Sequence, residues 1–156
     1  MPKCYQLIGV PGSGKTTWVS KNQDLLSKCV YISTDKFVEA YAHEVGKTYI
    51  EVFDEIMLKA IDMMTNEVIQ ARTEGFDIVW DQTSTTVASR LKKFRMLPNY
   101  EHIAVVFKTP EELELTRRLK SRPGKVIPPR VITQMIAHWE NPTVEEGFKD
   151  IWLINN

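Results

Sequence analysis

The sequence predicts an α/β fold, a parallel sheet of five strands with helices on both faces. Two observations carry this. Short runs rich in aliphatic residues alternate along the chain with longer stretches whose apolar residues recur at three-to-four spacing. Several of the short runs are apolar on consecutive residues, the pattern of a strand covered on both sides. Strands that alternate with helices join by right-handed crossovers and lie parallel.

The strands are expected at Tyr5–Gly9, Val30–Ser33, Asp77–Asp81, Ile103–Phe107 and Ile151–Ile154. A first helix begins near Gly14 and runs to about Asn22, and a second follows Asp35 and ends near His43. The longest spans Tyr49 to Glu74, where Val52, Phe53, Ile56, Met57, Ala60, Ile61, Met64 and Val68 form one stripe. Gly75 stops it, in the position favoured just past a helix end. A fourth covers Val87 to Met96 ahead of Pro98. A fifth starts at Pro110, with two glutamates near its positive end. A sixth starts around Pro129 and ends before Asn141-Pro142. No repeat or linker interrupts the pattern, so residues 1–156 read as a single domain. The segment Arg117 to Arg130, "RRLKSRPGKVIPPR", stands apart: six basic residues, no acidic ones, and Pro and Gly in its middle. It reads as an exposed turn between two helices.

Composition sets limits. Hydrophobic residues at 43% and charged residues at 26% are ordinary for a soluble globular chain large enough to bury a core. The net charge is zero, which argues against bulk attraction to nucleic acid but leaves room for a local basic patch. The start, "MPKCYQ", lacks the apolar stretch of a signal peptide. The longest aliphatic and aromatic run, "IAVVF", is far short of the about 20 residues of a membrane helix. A cytoplasmic protein without membrane contact is expected. Cys4 and Cys29 have no metal-ligand spacing and read as reduced, packed thiols.

The first expected strand runs into "GVPGSGKTT". Gly9, Gly14, Lys15 and Thr16 satisfy G-x-x-x-x-G-K-[ST], with a strand before and a helix after. Gly12 and Gly14 let the backbone curl so that successive N–H groups point at one anion. The helix that starts there adds its partial positive charge. Lys15 supplies a full charge for the outer phosphates, and Thr16 offers a hydroxyl to the Mg²⁺ that accompanies a nucleoside triphosphate. Gly12, Ser13, Gly14, Lys15, Thr16 and Thr17 thus make the candidate ATP site, with Thr16 as the metal ligand.

Positions just past strand ends are where such folds bind ligands. Asp35, in "YISTDKF", fits a helix N-cap and a general base equally well. Asp81, in "DIVWDQT", ends the third strand at the same rim and is a candidate for the substrate site. Arg122 lies in the basic turn, which reads as a lid over the nucleotide. An arginine there covers charge on a migrating phosphoryl group, with Arg117, Arg118 and Arg130 as competitors. A second basic run, "RLKKFR" from Arg90 to Arg95, reads as the outer face of an amphipathic helix with Leu91 and Phe94 turned to the core. The alternative is that it tracks a nucleic-acid backbone. His43, His102 and His138 lack metal-ligand spacing and read as structural, and the four tryptophans as packing on the sheet.

"GVPGSGKTTW", "ISTDKF", "VWDQTS" and "SRPGKVIP" resemble, in order and spacing, the kinase domain of the bacteriophage 5′-OH polynucleotide kinases, a P-loop kinase family. The resemblance covers most of the chain. It implies an adenylate-kinase-like core with a small basic lid, ATP with Mg²⁺, and transfer of the γ-phosphoryl to a hydroxyl of DNA or RNA, inside a phage-infected cell. It also implies roles: Lys15 and Thr16 on phosphates and metal, Asp35 as general base, Arg122 on the donor phosphate, and Asp81 in the acceptor site; Arg118 stays beside Arg122 as a candidate for binding the nucleotide. One position departs. The family carries an arginine three residues after the base, where this chain has Val38, which can neither pair with Asp81 nor contact a phosphate. That opens other acceptors: a hydroxymethylated base in phage DNA, or a small molecule or nucleotide. A nucleotide-binding module without turnover is the reading from another class.

Overall fold

The computed structural model describes residues 1–122 and 124–155. Five strands, β1 (Lys3–Ile8), β2 (Val30–Ile32), β3 (Ile78–Asp81), β4 (Glu101–Phe107) and β5 (Phe148–Ile154), form one sheet in the order β2-β3-β1-β4-β5. Every pairing is parallel. The connections carry α1 (Lys15–Lys21), α2 (Gln23–Leu26), α3 (Asp35–Val45), α4 (Tyr49–Glu74), α5 (Val87–Met96), α6 (Glu112–Lys120) and α7 (Pro129–Ala137).

Alternation along the strands sends side chains to two covered faces. Tyr5 and Leu7 of β1, Val79 of β3, and Ile103, Val105 and Phe107 of β4 pack with Trp18 of α1 and Leu26 of α2. On the opposite face Cys4, Ile78 and Trp80 pack with Met64, Val68 and Ala71 of α4. Both faces are buried, which is why these strands read as continuous apolar runs. The order reverses across central β1, so the loop after β1 opens at a topological switch point, the usual ligand crevice of such sheets.

Local chemistry sets the helix ends. Thr48 and Glu51 form a capping box on α4: the Glu51 N–H donates to Thr48 Oγ1, and Glu51 Oε1 accepts from the Thr48 N–H at 3.1 Å. Gly75 closes the helix in the left-handed region, at φ 76°. Helix α6 begins at Glu112 rather than Pro110, and α7 ends at Ala137. The short α2 and the start of β5 escape the apolar pattern. Strand β5 is an edge strand whose Lys149 and Asp150 face solvent, so only its last half looks like a strand in sequence. Of the long stripe, Val52, Ala60, Met64 and Val68 are buried, whereas Ile61 is exposed.

The basic run on α5 forms an outer face only in part: Lys92 and Arg95 are exposed, and Phe94 packs on the core as expected. Arg90 is fully buried and Lys93 nearly so, while Leu91 is exposed and Phe94 half-buried. The reason is partner chemistry. Arg90 Nε and Nη2 donate to the two carboxylate oxygens of Glu146 at 2.9 and 3.1 Å, and Nη1 donates to the Ser84 carbonyl at 3.0 Å. Three fixed donors are thereby satisfied inside the protein, tying α5 to the loop after β3 and to the turn before β5. Lys93 Nζ lies 5.2 Å over the Trp80 ring, and burial pushes its pKa down to about 8. His102 is likewise structural. Its Nε2–H donates to the Leu97 carbonyl, which leaves Nδ1 to accept from Gln6 Nε2 at 2.9 Å.

Glu146→Ala strands the Arg90 charge in the interior. It should lower unfolding stability by about 3 kcal/mol, read from the urea midpoint, and replacing both partners by apolar residues should recover most of that loss.

Candidate functional site

The loop between β1 and α1 curls as its glycines demand. Gly12 and Gly14 take φ of 82° and 101°, where a side chain is strained. A Cβ at Gly12 would also lie 3.1 Å from Leu115 and 3.3 Å from Leu119 of α6. The loop is anchored by the Gly9 N–H, which donates to the Thr83 carbonyl at 2.9 Å. The first-turn amides of α1, at Lys15, Thr16 and Thr17, have no acceptor within the helix and lie at the cleft. The Lys15 ammonium folds back to donate to the carbonyls of Gly9 at 2.8 Å and Val10 at 3.1 Å. Burial lowers its pKa to about 8, against the raising effect of Asp81 and Asp35.

Two sides of the cleft, about 1110 Å³ in volume, are set by this loop and by the rim of the sheet. Gly12, Gly14, Lys15, Thr16, Thr17, Asp35, Asp81, Arg118 and Arg122 all line it, while the Ser13 hydroxyl is buried and has no hydrogen-bond partner among the described residues. The arginines of the expected lid separate. Arg118 of α6 donates to the Gly12 carbonyl at 3.1 Å and to Glu114 at 2.8 Å. Arg117 also lines the cleft but is exposed and held by Glu114 at 2.6 Å. Arg130 sits exposed on α7 away from the lining. Arg122 is half-buried, close enough for its charge to act on Lys15 and Tyr49. Of the segment expected as lid, 117–130, residues 117–120 end α6, residues 121–122 and 124–128 lie outside helix and strand, and residues 129–130 start α7, while Pro123 lies outside the described residues.

Asp35 is the first residue of α3, and Thr34 occupies the N-cap without a side-chain bond. The Asp35 carboxylate does not cap the helix. Its Oδ1 accepts from the Tyr49 hydroxyl at 2.7 Å, and its Oδ2 from Lys125 Nζ at 3.1 Å. Asp81 ends β3, where its Oδ2 accepts a short hydrogen bond from the Tyr31 hydroxyl. Burial holds the Asp81 carboxyl above its ordinary range, against the lowering by that bond and by the Lys15 charge. Val38 is fully buried between α3 and α4 with Ala42, Val52 and Ala60. The position that carries an arginine in the polynucleotide kinases is a core position in this chain, and Tyr31 is the partner Asp81 has instead.

Tyr31, Tyr49, Phe53, Gln82 and Lys125 also line the cleft and were not singled out by sequence. The aromatics looked like strand and helix packing, and Lys125 was one of six cations in the basic turn. None of the cations of the run 90–95 reaches the cleft. The Thr16 hydroxyl, the oxygen expected to meet Mg²⁺, is exposed in the first turn of α1 and open to the cleft. Among the described residues no three His, Cys, Asp or Glu side chains cluster into a metal cage.

Solved structures share the fold. A sugar kinase from Janibacter sp. HTCC2649 matches with TM-score 0.63 at 16% identity, covering 99% of this chain and 86% of that one. Shikimate kinase from Acinetobacter baumannii, in complex with shikimate, matches with TM-score 0.58 at 20% identity, covering 100% and 85%. A chain of the Pnkp1/Rnl/Hen1 RNA repair complex matches with TM-score 0.68 at 24% identity, covering 88% of this chain. This chain spans only 43% of that larger one. No helix among the described residues is long and apolar enough to cross a membrane. The model of a family described as an AAA domain matches residues 6–142, and with a phosphate-loop turn between β1 and α1 on a kinase-like parallel sheet, this chain belongs to that AAA domain family.

Proposed function

We propose that the protein is an ATP-dependent kinase that transfers the γ-phosphoryl to a hydroxyl of a nucleic acid, in the manner of the polynucleotide kinases. One observation carries the reading: the loop that suits phosphates and the Asp35 carboxylate face the same cleft, with Arg118 and Arg122 beside them. A binding module needs the loop alone.

ATP would lie with its terminal phosphates in the curl at Gly12–Thr17. Lys15 would leave the carbonyls of Gly9 and Val10 for the phosphate oxygens, which compete better for a cation. Arg118 and Arg122 would cover the charge that spreads over the migrating group. Asp35 takes the proton of the acceptor hydroxyl. The acceptor oxygen forms a bond to the γ-phosphorus, the bond from that phosphorus to the β–γ bridging oxygen breaks, and ADP leaves with the electron pair. Thr16 would hold Mg²⁺, which would supply neutralisation of the phosphate charge.

The acceptor side is aromatic as well as charged. Tyr31, Tyr49 and Phe53 stand at the cleft beside Asp35 and Asp81, and flat rings suit a nucleobase. The burial of Val38 favours a second acceptor within the same class. With no arginine there to hold a backbone phosphate, a hydroxymethyl group on a base, exposed or rotated out of the duplex, fits as well as a 5′-OH end.

Asp35→Asn should lower phosphoryl transfer by about 10²–10⁴-fold while nucleotide affinity stays within a few-fold, measured by labelled transfer and by titration calorimetry. Transfer at the parent rate removes Asp35 as the base. Labelled ATP offered to 5′-OH oligonucleotides, to duplex DNA with hydroxymethylpyrimidines and to free nucleosides should mark one of the first two. Label in nucleosides alone makes this a small-molecule kinase. Phosphates should also raise the depressed pKa of Lys15. Nucleotide binding is therefore expected to take up a proton between pH 8 and the ordinary lysine value of 10.5. Below about pH 7 this uptake should vanish, because Lys15 is already charged; calorimetry in buffers of different ionisation enthalpy reads it.

A further inference from the structure

The segment of residues 121–122 and 124–128 reaches Asp35 and also lines the cleft beside the loop at Gly12–Thr17. Lys125 Nζ donates to Asp35 Oδ2 at 3.1 Å and to Glu39 Oε1 at 2.9 Å, and lies 4.7 Å over the Tyr49 ring. The Tyr49 hydroxyl donates to the other Asp35 oxygen. The Lys125 side chain is 13% exposed, whereas Asp35 and Glu39 are 47% and 56% exposed. The cation is thus the sequestered member of the cluster, roofed by the loop that carries it, and its two carboxylate partners are otherwise open to water.

A backbone contact sits beside the charged one. The Gly124 carbonyl accepts from the Ile50 N–H at 3.1 Å. Ile50 is the second residue of α4, so its amide has no partner within the helix, and the loop supplies one. The approach is close: a Cβ at Gly124 would lie 2.8 Å from Thr48 Cβ, and Gly124 takes φ of 69°. Only glycine allows the loop to settle onto the cap of α4. Arg122, two residues earlier, faces the cleft near Lys15.

We propose that Lys125 is a positioning residue that couples the lid to the base. When the loop rests on the cap of α4 through Gly124, Lys125 and Tyr49 together fix both oxygens of Asp35. The same loop movement that brings Arg122 over the donor phosphates therefore orients the group that takes the acceptor proton. Two oxygens held from two elements leave the carboxylate little freedom to rotate, while its remaining lone pairs stay open to a hydroxyl. A base set only under a closed lid also discourages transfer to water while the lid is open. Glu39 serves as the second anchor of Lys125 and has no part in the chemistry.

The proposal rests on Asp35 being the base, and its test separates the two ideas. Lys125→Met and Gly124→Ala, the latter without change of charge, are compared with the parent for Ile50 amide exchange, nucleotide affinity and kcat. Both should speed Ile50 exchange at least about tenfold, leave nucleotide Kd within about threefold, and lower kcat by about 10–100-fold, the scale of a misplaced catalytic group. Lys125→Arg should restore most of kcat. Parental Ile50 exchange and kcat in Lys125→Met overturn the coupling. So does a fall in kcat with unchanged exchange, or one that arginine fails to restore. If Asp35→Asn keeps full transfer, the base reading fails while Ile50 exchange still responds to Lys125→Met. A silent Ile50 beside an inactive Asp35→Asn sinks the coupling alone.

Discussion

Parallel pairing of all five strands is the constraint on which the rest depends. It places every strand's C-terminal end on one rim, so the residues that follow β1, β2 and β3 meet there although Gly9, Asp35 and Asp81 are far apart in sequence. The reversal of strand order at β1 opens a crevice at that rim, and the helix beginning at Lys15 presents its unsatisfied amides to it. No single contact holds the site together. Its coherence comes from the main-chain ladders Cys4–Leu7 with Ile78–Asp81 and Lys3–Ile8 with Glu101–Val106.

Charge is placed with unequal care across the molecule. Around the cleft, several ionisable groups have partners that can be exchanged. Lys15 rests on loop carbonyls, Asp35 on Tyr49 and Lys125, and Asp81 on Tyr31. Such contacts hold side chains in place and remain able to yield to a ligand. Away from the cleft, Arg90 and Glu146 form a bidentate pair sealed in the interior, with a third bond to Ser84. That pair braces the loop after β3, the same loop whose Thr83 carbonyl anchors the Gly9 amide. The exposed pair of Arg117 with Glu114 contributes little to stability, because water and salt screen it.

The substitution of valine at position 38 takes on a different meaning once packing is known. By resemblance it is a lost arginine of the acceptor site. In the fold it belongs to the contact between α3 and α4, where it meets Ala42, Val52 and Ala60. Asp81 then bonds to Tyr31, a strand residue whose ring also lines the cleft. A cleft wall of tyrosine hydroxyls and aromatic faces suits recognition by shape and hydrogen bonding more than by a phosphate charge.

The phosphate loop, the α/β class, the strand-end placement of Asp35 and Asp81 and the bounds of α4 were legible in the sequence, because each is encoded locally. Left-handed glycines, consecutive apolar residues, capping residues and 3.6-residue periodicity act within a few positions of one another. Strand order, the inward turn of Arg90 and Lys93, and the meeting of Tyr49 and Lys125 on Asp35 were decided only by the tertiary structure. A buried arginine looks like a surface one until its carboxylate arrives from 56 residues away. Likewise, nothing near Lys125 in sequence marks it apart from the five other cations of its turn, because its partner Asp35 lies 90 residues earlier.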